Sequence, residues 1–142
     1  MRTIKELLDE KGHEVSSIGP DDLVYDALEL MAEQKIGALI VLENGKPVGL
    51  VSERDYARNV ALEGRSSRNT PVKDIMTARV VCAAPDQSVE ECMAVMTEKR
   101  VRHLPVIESG QLVGLVSIGD LVKSIISEQQ FIIEQLEHYI SG

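Results

Sequence analysis

The chain repeats itself, and that repetition constrains the fold more than any other feature. Sliding the sequence by 65 residues lays residues 15–60 on residues 80–125 without a gap. The match is densest where Val48-Gly49-Leu50-Val51-Ser52 with Asp55 meets Val113-Gly114-Leu115-Val116-Ser117 with Asp120. A fixed internal period means a duplicated supersecondary unit. At 142 residues the chain is about the size of one ordinary domain. Two copies in that length are therefore expected to share a core and to pack together.

Each copy reads alike. A Pro-Asp pair (Pro20-Asp21, Pro85-Asp86) precedes a stretch whose apolar residues recur at helical spacing: Val24, Ala27, Leu28 and Met31, then Val89, Cys92, Met93 and Met96. Two strand-like runs follow, 38–42 and 47–51 in the first copy and 104–107 and 112–116 in the second. Asn44-Gly45 between the first two is a strong hairpin signal, and Ser109-Gly110 is its counterpart. Each second run passes through Ser-x-x-Asp into a helix, over 55–62 or 120–126. The class is α/β in the α+β sense, two βαββα repeats.

Each copy also has a lead-in. Thr3 and Glu6 are spaced as a capping box, and Thr70 before Pro71 offers a capping hydroxyl ahead of a proline at a first helical position. The expected division is residues 1–62 for the first repeat with its lead-in, 63–69 for a polar linker, 70–126 for the second repeat, and 127–142 for an amphipathic helix. That last helix carries Phe131, Ile132, Leu136, Tyr139 and Ile140, and either covers exposed core or contacts a second copy.

Composition closes off several functions. The net charge of −8 argues against nucleic acid, whose binding rests on basic surface. With 3% aromatic residues and no Trp, stacking platforms for single strands are missing too. No apolar run approaches the ~20 residues of a membrane span, and the N-terminus lacks the pattern of a secretory signal, so a cytoplasmic protein is expected. Cys82 and Cys92 are then reduced thiols that pack, with neither disulfide nor metal role. His13, His103 and His138 are not spaced as metal ligands, and no nucleophile has an orienting base, so no catalytic or metal site is expected.

Chemistry concentrates at the two Ser-x-x-Asp segments. A helix N-terminus offers free N–H groups and partial positive charge to a phosphate, with Ser52 or Ser117 adding a hydroxyl. Asp55 and Asp120 can each accept hydrogen bonds from the vicinal hydroxyls of a ribose. A plainer reading has Ser capping the helix and Asp complementing its dipole. The copies differ at the preceding strand: Gly37-Ala38 in the first stands against Arg102-His103 in the second. A charged pair at a strand entrance faces solvent or an anion, and Arg54 and Arg79 are further phosphate partners.

These residues resemble the tandem cystathionine β-synthase (CBS) domain pair, often called a Bateman module. The match is carried by the lead-ins Ile4-Lys5-Glu6-Leu7-Leu8 and Val72-Lys73-Asp74-Ile75-Met76-Thr77, by Arg102-His103-Leu104-Pro105-Val106, and by both Gly-Leu-Val-Ser-x-x-Asp segments. It covers roughly residues 3 to 126. The resemblance implies two repeats packed through their sheets about a pseudo-two-fold axis, with clefts for AMP above all, or for ADP, ATP, NAD or S-adenosylmethionine. It places Asp55 and Asp120 at ribose, Ser52, Ser117, Arg102 and His103 near phosphate, and Ala38 and Leu104 beside the purine, with Thr77 and Pro105 in the same segments. Ile40 stands where the second copy has Pro105, and Gly119 stands opposite Arg54. The resemblance implies a homodimer that signals to a regulated protein partner; the rival is a dimerisation module without ligand.

Overall fold

The computed structural model describes residues 2–141, with the side chain of Ser141 outside the description. The element order is α1 (Ile4–Lys11), β1 (Ser17–Ile18), α2 (Val24–Gln34), β2 (Ala38–Glu43), β3 (Lys46–Ser52), α3 (Glu53–Tyr56), α4 (Val89–Lys99), β4 (His103–Glu108), β5 (Gln111–Ser117) and α5 (Ile118–Ser141). This is the mixed α/β architecture that the duplicated pattern predicts.

The chain divides into two compact units that cut across the sequence repeats. One unit comprises residues 14–81 with 110–112; the other comprises residues 1–13, 82–109 and 113–142. The lead-ins are thus exchanged. Residues 70–76 pack with the first repeat, where Val24 N–H donates to the Thr70 carbonyl, Val72 N–H to that of Asp22 and Lys73 N–H to that of Pro20. Residues 2–11 pack with the second, where Val89 N–H donates to the Arg2 carbonyl, Ile4 N–H to that of Gln87 and Lys5 N–H to that of Pro85. The two bonding patterns are equivalent residue for residue.

In the unit built on residues 14–81, β1 pairs parallel with β2 through Ser17 and Ile40, and β2 pairs antiparallel with β3. The hairpin turn has Asn44 at φ 53° and Gly45 at φ 78°, the two positive values that a type I′ turn demands and that Asn-Gly supplies at least strain. The α2 stripe Val24, Ala27 and Met31 is buried with Leu39, Val41, Val51, Val60, Val72 and Ile75. Residues 39 and 41 share one face of β2, as strand alternation requires.

The unit containing residues 82–109 repeats the scheme. β4 pairs with β5, and Ala83 bridges Val106 in parallel. Val89, Cys92 and Met96 of α4 are buried. Burial pushes the Cys92 thiol up to about 11, so it stays protonated and packs as a small apolar group.

Four expectations need correction. Cys82 is exposed instead of packed in the core, because it lies outside the helical stripe that buries Cys92. Thr70 does not cap a helix: its hydroxyl donates to the Ser66 carbonyl, and Val72–Asp74 forms only a single 3-10 turn after an extended Pro71. The helix expected over 55–62 is an α-turn, Glu53–Tyr56, widening into a π-turn over Ala57–Ala61. The expected break near residue 126 is absent, because α5 continues for 24 residues. Its far half covers no core: Phe131, Ile132, Leu136, Tyr139 and Ile140 are all exposed, since α5 outruns the 11 residues of α4 beside it.

Candidate functional site

Both Ser-x-x-Asp segments fold into the same local device. A tightly packed glycine sets each one. A Cβ on Gly49 would lie 2.7 Å from Met76 Sδ and 2.9 Å from the Thr77 carbonyl oxygen; one on Gly114 would lie 2.7 Å from Leu8 Cδ2. These glycines let each β-strand run flush against a lead-in, rather than approach a ligand.

Past the glycine, the strand delivers its serine to a helix start. Ser52 Oγ accepts from Asp55 N–H at 3.1 Å, while Asp55 Oδ2 accepts from Ser52 N–H at 2.9 Å and from its hydroxyl at 3.0 Å. Ser117 Oγ accepts from Asp120 N–H at 3.1 Å, and Asp120 Oδ2 accepts from Ser117 N–H at 2.9 Å. These are capping boxes, so the plainer reading is realised in full. It uses only one oxygen of each carboxylate: among the described residues Oδ1 of Asp55 and of Asp120 accepts no hydrogen bond. A carboxylate has about four lone-pair sites, so capping and diol binding are compatible.

The entrance strands are tied to these same helix starts. The Gly37 carbonyl accepts from Glu53 N–H at 3.1 Å, and the Arg102 carbonyl accepts from Ile118 N–H at 2.9 Å. Ala38 is paired with Ser52 and buried. Gly37, Ala38, Ser52 and Asp55 are therefore brought together in one unit, and Arg102, His103, Ser117 and Asp120 in the other. Thr77 joins the first group through its backbone, which exchanges hydrogen bonds with Leu50 at 2.8 and 3.0 Å. Arg54 and Arg79 are exposed, and their guanidinium groups make no hydrogen bond or ion pair among the described residues. Leu104 and Pro105 are buried, and Pro105 gives its carbonyl to Ala83 N–H.

The unit with Asp120 adds a charged cluster that sequence reasoning missed. Lys11, last residue of α1, donates from Nζ to Asp120 Oδ2 at 2.5 Å and to the Leu115 carbonyl at 2.7 Å. Burial alone disfavours the Asp120 anion, but the bond from Lys11, the bonds from Ser117 and the lysine charge together hold its carboxyl below the usual value. His103 is shifted down, first by burial and next by the Lys11 charge, against an opposing pull from Asp120. Burial and the lysine charge both favour its neutral imidazole. A cavity of about 310 Å³ opens beside the pair, lined by Arg2, Leu7, Glu10, Lys11, Asp120 and Lys123 among others.

A second clamp lies beside Lys11. His13 Nδ1 is 3.0 Å from the Val113 carbonyl oxygen and Nε2 is 2.9 Å from Asp9 Oδ1. Both neighbours accept, so the clamp is complete only when both ring nitrogens carry protons. The bond to Asp9, then that to Val113, raises the His13 pKa above its ordinary 6.5. As pH rises the unfolded chain loses this proton first, so the clamp stabilises fully below 6.5 and fades as pH passes the folded value. Melting curves of the wild type and His13→Gln over about pH 5 to 9 should show the wild-type advantage shrinking towards alkaline pH. An advantage that grew with pH would refute the imidazolium assignment.

Among the described residues no cluster of three His, Cys, Asp or Glu side chains is placed to hold a metal ion, and no helix is long and apolar enough to cross a membrane.

Comparison with known proteins fits this geometry. The family model for the CBS domain matches residues 4–62 and again 72–127. The chain is similar to the mitochondrial CBS domain-containing protein CBSX3 of Arabidopsis thaliana, at 37% identity over 99% of this chain and 72% of that protein. A CBS-domain protein structure from Burkholderia ambifaria MC40-6 shares 51% identity with a TM-score of 0.86, covering 90% of this chain and 96% of that one. The CBS domain pair of protein MJ0100, solved with 5′-methylthioadenosine and S-adenosylmethionine, has the same fold at 21% identity and a TM-score of 0.78, covering 90% of this chain and 98% of that one. The chain belongs to the CBS domain family and carries the domain twice.

Proposed function

We propose that this protein is a regulatory module that senses an adenine nucleotide, AMP foremost, with ADP, ATP, NAD and S-adenosylmethionine as the other candidates. Asp55 and Asp120 bind ribose hydroxyls. Ser52 and Ser117, with Arg102 and His103 in the second repeat, stand at the phosphate. The observation that carries this reading is that both aspartates, though capping helices, keep one carboxylate oxygen open. The adenosine-bearing ligands of MJ0100 lend support from the same fold.

The protein works in the cytoplasm without catalysis of its own, as a homodimer paired through the exposed stripe of α5, and passes its signal to a regulated protein partner. The nucleotide acts by binding one arrangement of the module better than another. A ligand that binds only the folded state, present at 100 times its dissociation constant, adds about 2.7 kcal/mol of stability. The melting midpoint is therefore expected to rise with at least one of these nucleotides at millimolar concentration. If none moves it, sensing is refuted and a dimerisation module without ligand takes its place.

A further inference from the structure

The two capped aspartates differ in one respect that sequence equivalence hides. Among the described residues Asp55 Oδ2 is engaged only by its own Ser52, whereas Asp120 Oδ2 is also held by the ammonium of Lys11. The pair is half-open, with the Lys11 side chain 36% and the Asp120 side chain 26% exposed, so a ligand can reach it. Lys11 is further anchored on the Leu115 carbonyl, and its charge acts on His103, as do those of Asp120 and Arg102.

We propose that Lys11 is a specificity-determining residue that makes occupation of the Asp120 site conditional on an anionic ligand. Each Oδ2 already accepts two bonds, so what sets Asp120 apart is the charge of its second donor. The Ser52 hydroxyl on Asp55 can rotate away at little cost, whereas the Lys11 ammonium cannot leave Asp120 without stranding a charge. A ribose diol that spans both carboxylate oxygens must displace the lysine. A neutral nucleoside offers the ammonium nothing in return, and a partly desolvated charge without a partner is costly. A nucleoside phosphate supplies a new anionic partner as it frees the carboxylate, so the lysine moves from carboxylate to phosphate. Among the described residues no charged side chain engages the Asp55 carboxylate, so that site admits neutral nucleosides. This inference rests on the proposed nucleotide-binding role.

Lys11→Met keeps the bulk of the stem and removes the charge. Calorimetric titration of the full chain with AMP and with adenosine is expected to show adenosine binding to the Asp120 site strengthening about tenfold in the variant, equal to about 1.4 kcal/mol, while AMP gains nothing or weakens. The preference for AMP thus falls at least tenfold. Adding Asp120→Asn to Lys11→Met should abolish the gain for adenosine. If AMP binds the wild type but the ratio is unchanged in the variant, the role of Lys11 is overturned and nucleotide sensing stands. If neither ligand binds either protein, both fall together. Thermal melting of each variant without ligand verifies that it is folded at the titration temperature.

Discussion

Asp120→Ala is expected to cut affinity for AMP about ten- to a hundredfold while leaving a 2′,3′-dideoxy analogue nearly unaffected. The estimate follows from hydrogen bonds to a charged acceptor, worth about 1.5–3 kcal/mol. The same substitution removes a first-turn carboxylate, which by itself costs ~0.3–1 kcal/mol of stability and does not distinguish one sugar from another. The contrast between ribose and dideoxyribose separates the two roles. Arg102→Ala should spare adenosine and weaken AMP, because its proposed partner is the phosphate. Equal losses for ribose and dideoxy ligands in Asp120→Ala would sink the ribose assignment, and by repeat symmetry that of Asp55.

Leu8→Ala should destabilise the protein by about 2–5 kcal/mol, the usual range for emptying a closed apolar site. Leu8 is 1% exposed, and both its methyls would crowd a Cβ on Gly114, at 2.7 and 2.8 Å. Gly114→Ala alone therefore overpacks, at ~1–3 kcal/mol. In the Leu8→Ala background the added methyl enters vacated space, so the two substitutions should partly cancel. Urea unfolding of both singles and the double gives the coupling, which should exceed about 0.5 kcal/mol in the compensating direction. Strict additivity would mean that Gly114 is not held against the N-terminal helix.

Repeat symmetry made most of this fold legible. Helical spacing located α2 and α4, and Asn44-Gly45 fixed the first hairpin, because these signals lie within a few residues of what they specify. The exchange of lead-ins escaped, because a 65-residue offset aligns the repeats but says nothing about which repeat each lead-in covers. Lys11 and His13 escaped for the same reason. Their partners Leu115, Asp120 and Val113 are distant in sequence, and nothing near residue 11 marks a contact with residue 120. One signal was available: Leu8 and Met76 hold equivalent places against Gly114 and Gly49, and they lie 68 residues apart, not 65. Within the site, Ser-x-x-Asp correctly announced a helix start. Which carboxylate oxygen the cap consumes is a matter of geometry that no spacing encodes.

The exchanged lead-ins also set an order of events at the ribosome. Residues 14–81 hold nearly all of one compact unit and can begin to close as soon as they emerge. The N-terminal helix must wait for partners that run from Pro85 and Gln87 to Ser124, the last of them 122 residues beyond Arg2. At synthesis rates of about 5–20 residues per second, that interval is roughly 6–25 s. Eight residues are too few to hold a helix unaided, so Ile4, Leu7 and Leu8, all buried in the finished protein, spend the wait as an unpaired apolar segment. These residues are thus made well before the last of their partners, and their burial is completed only when that partner arrives.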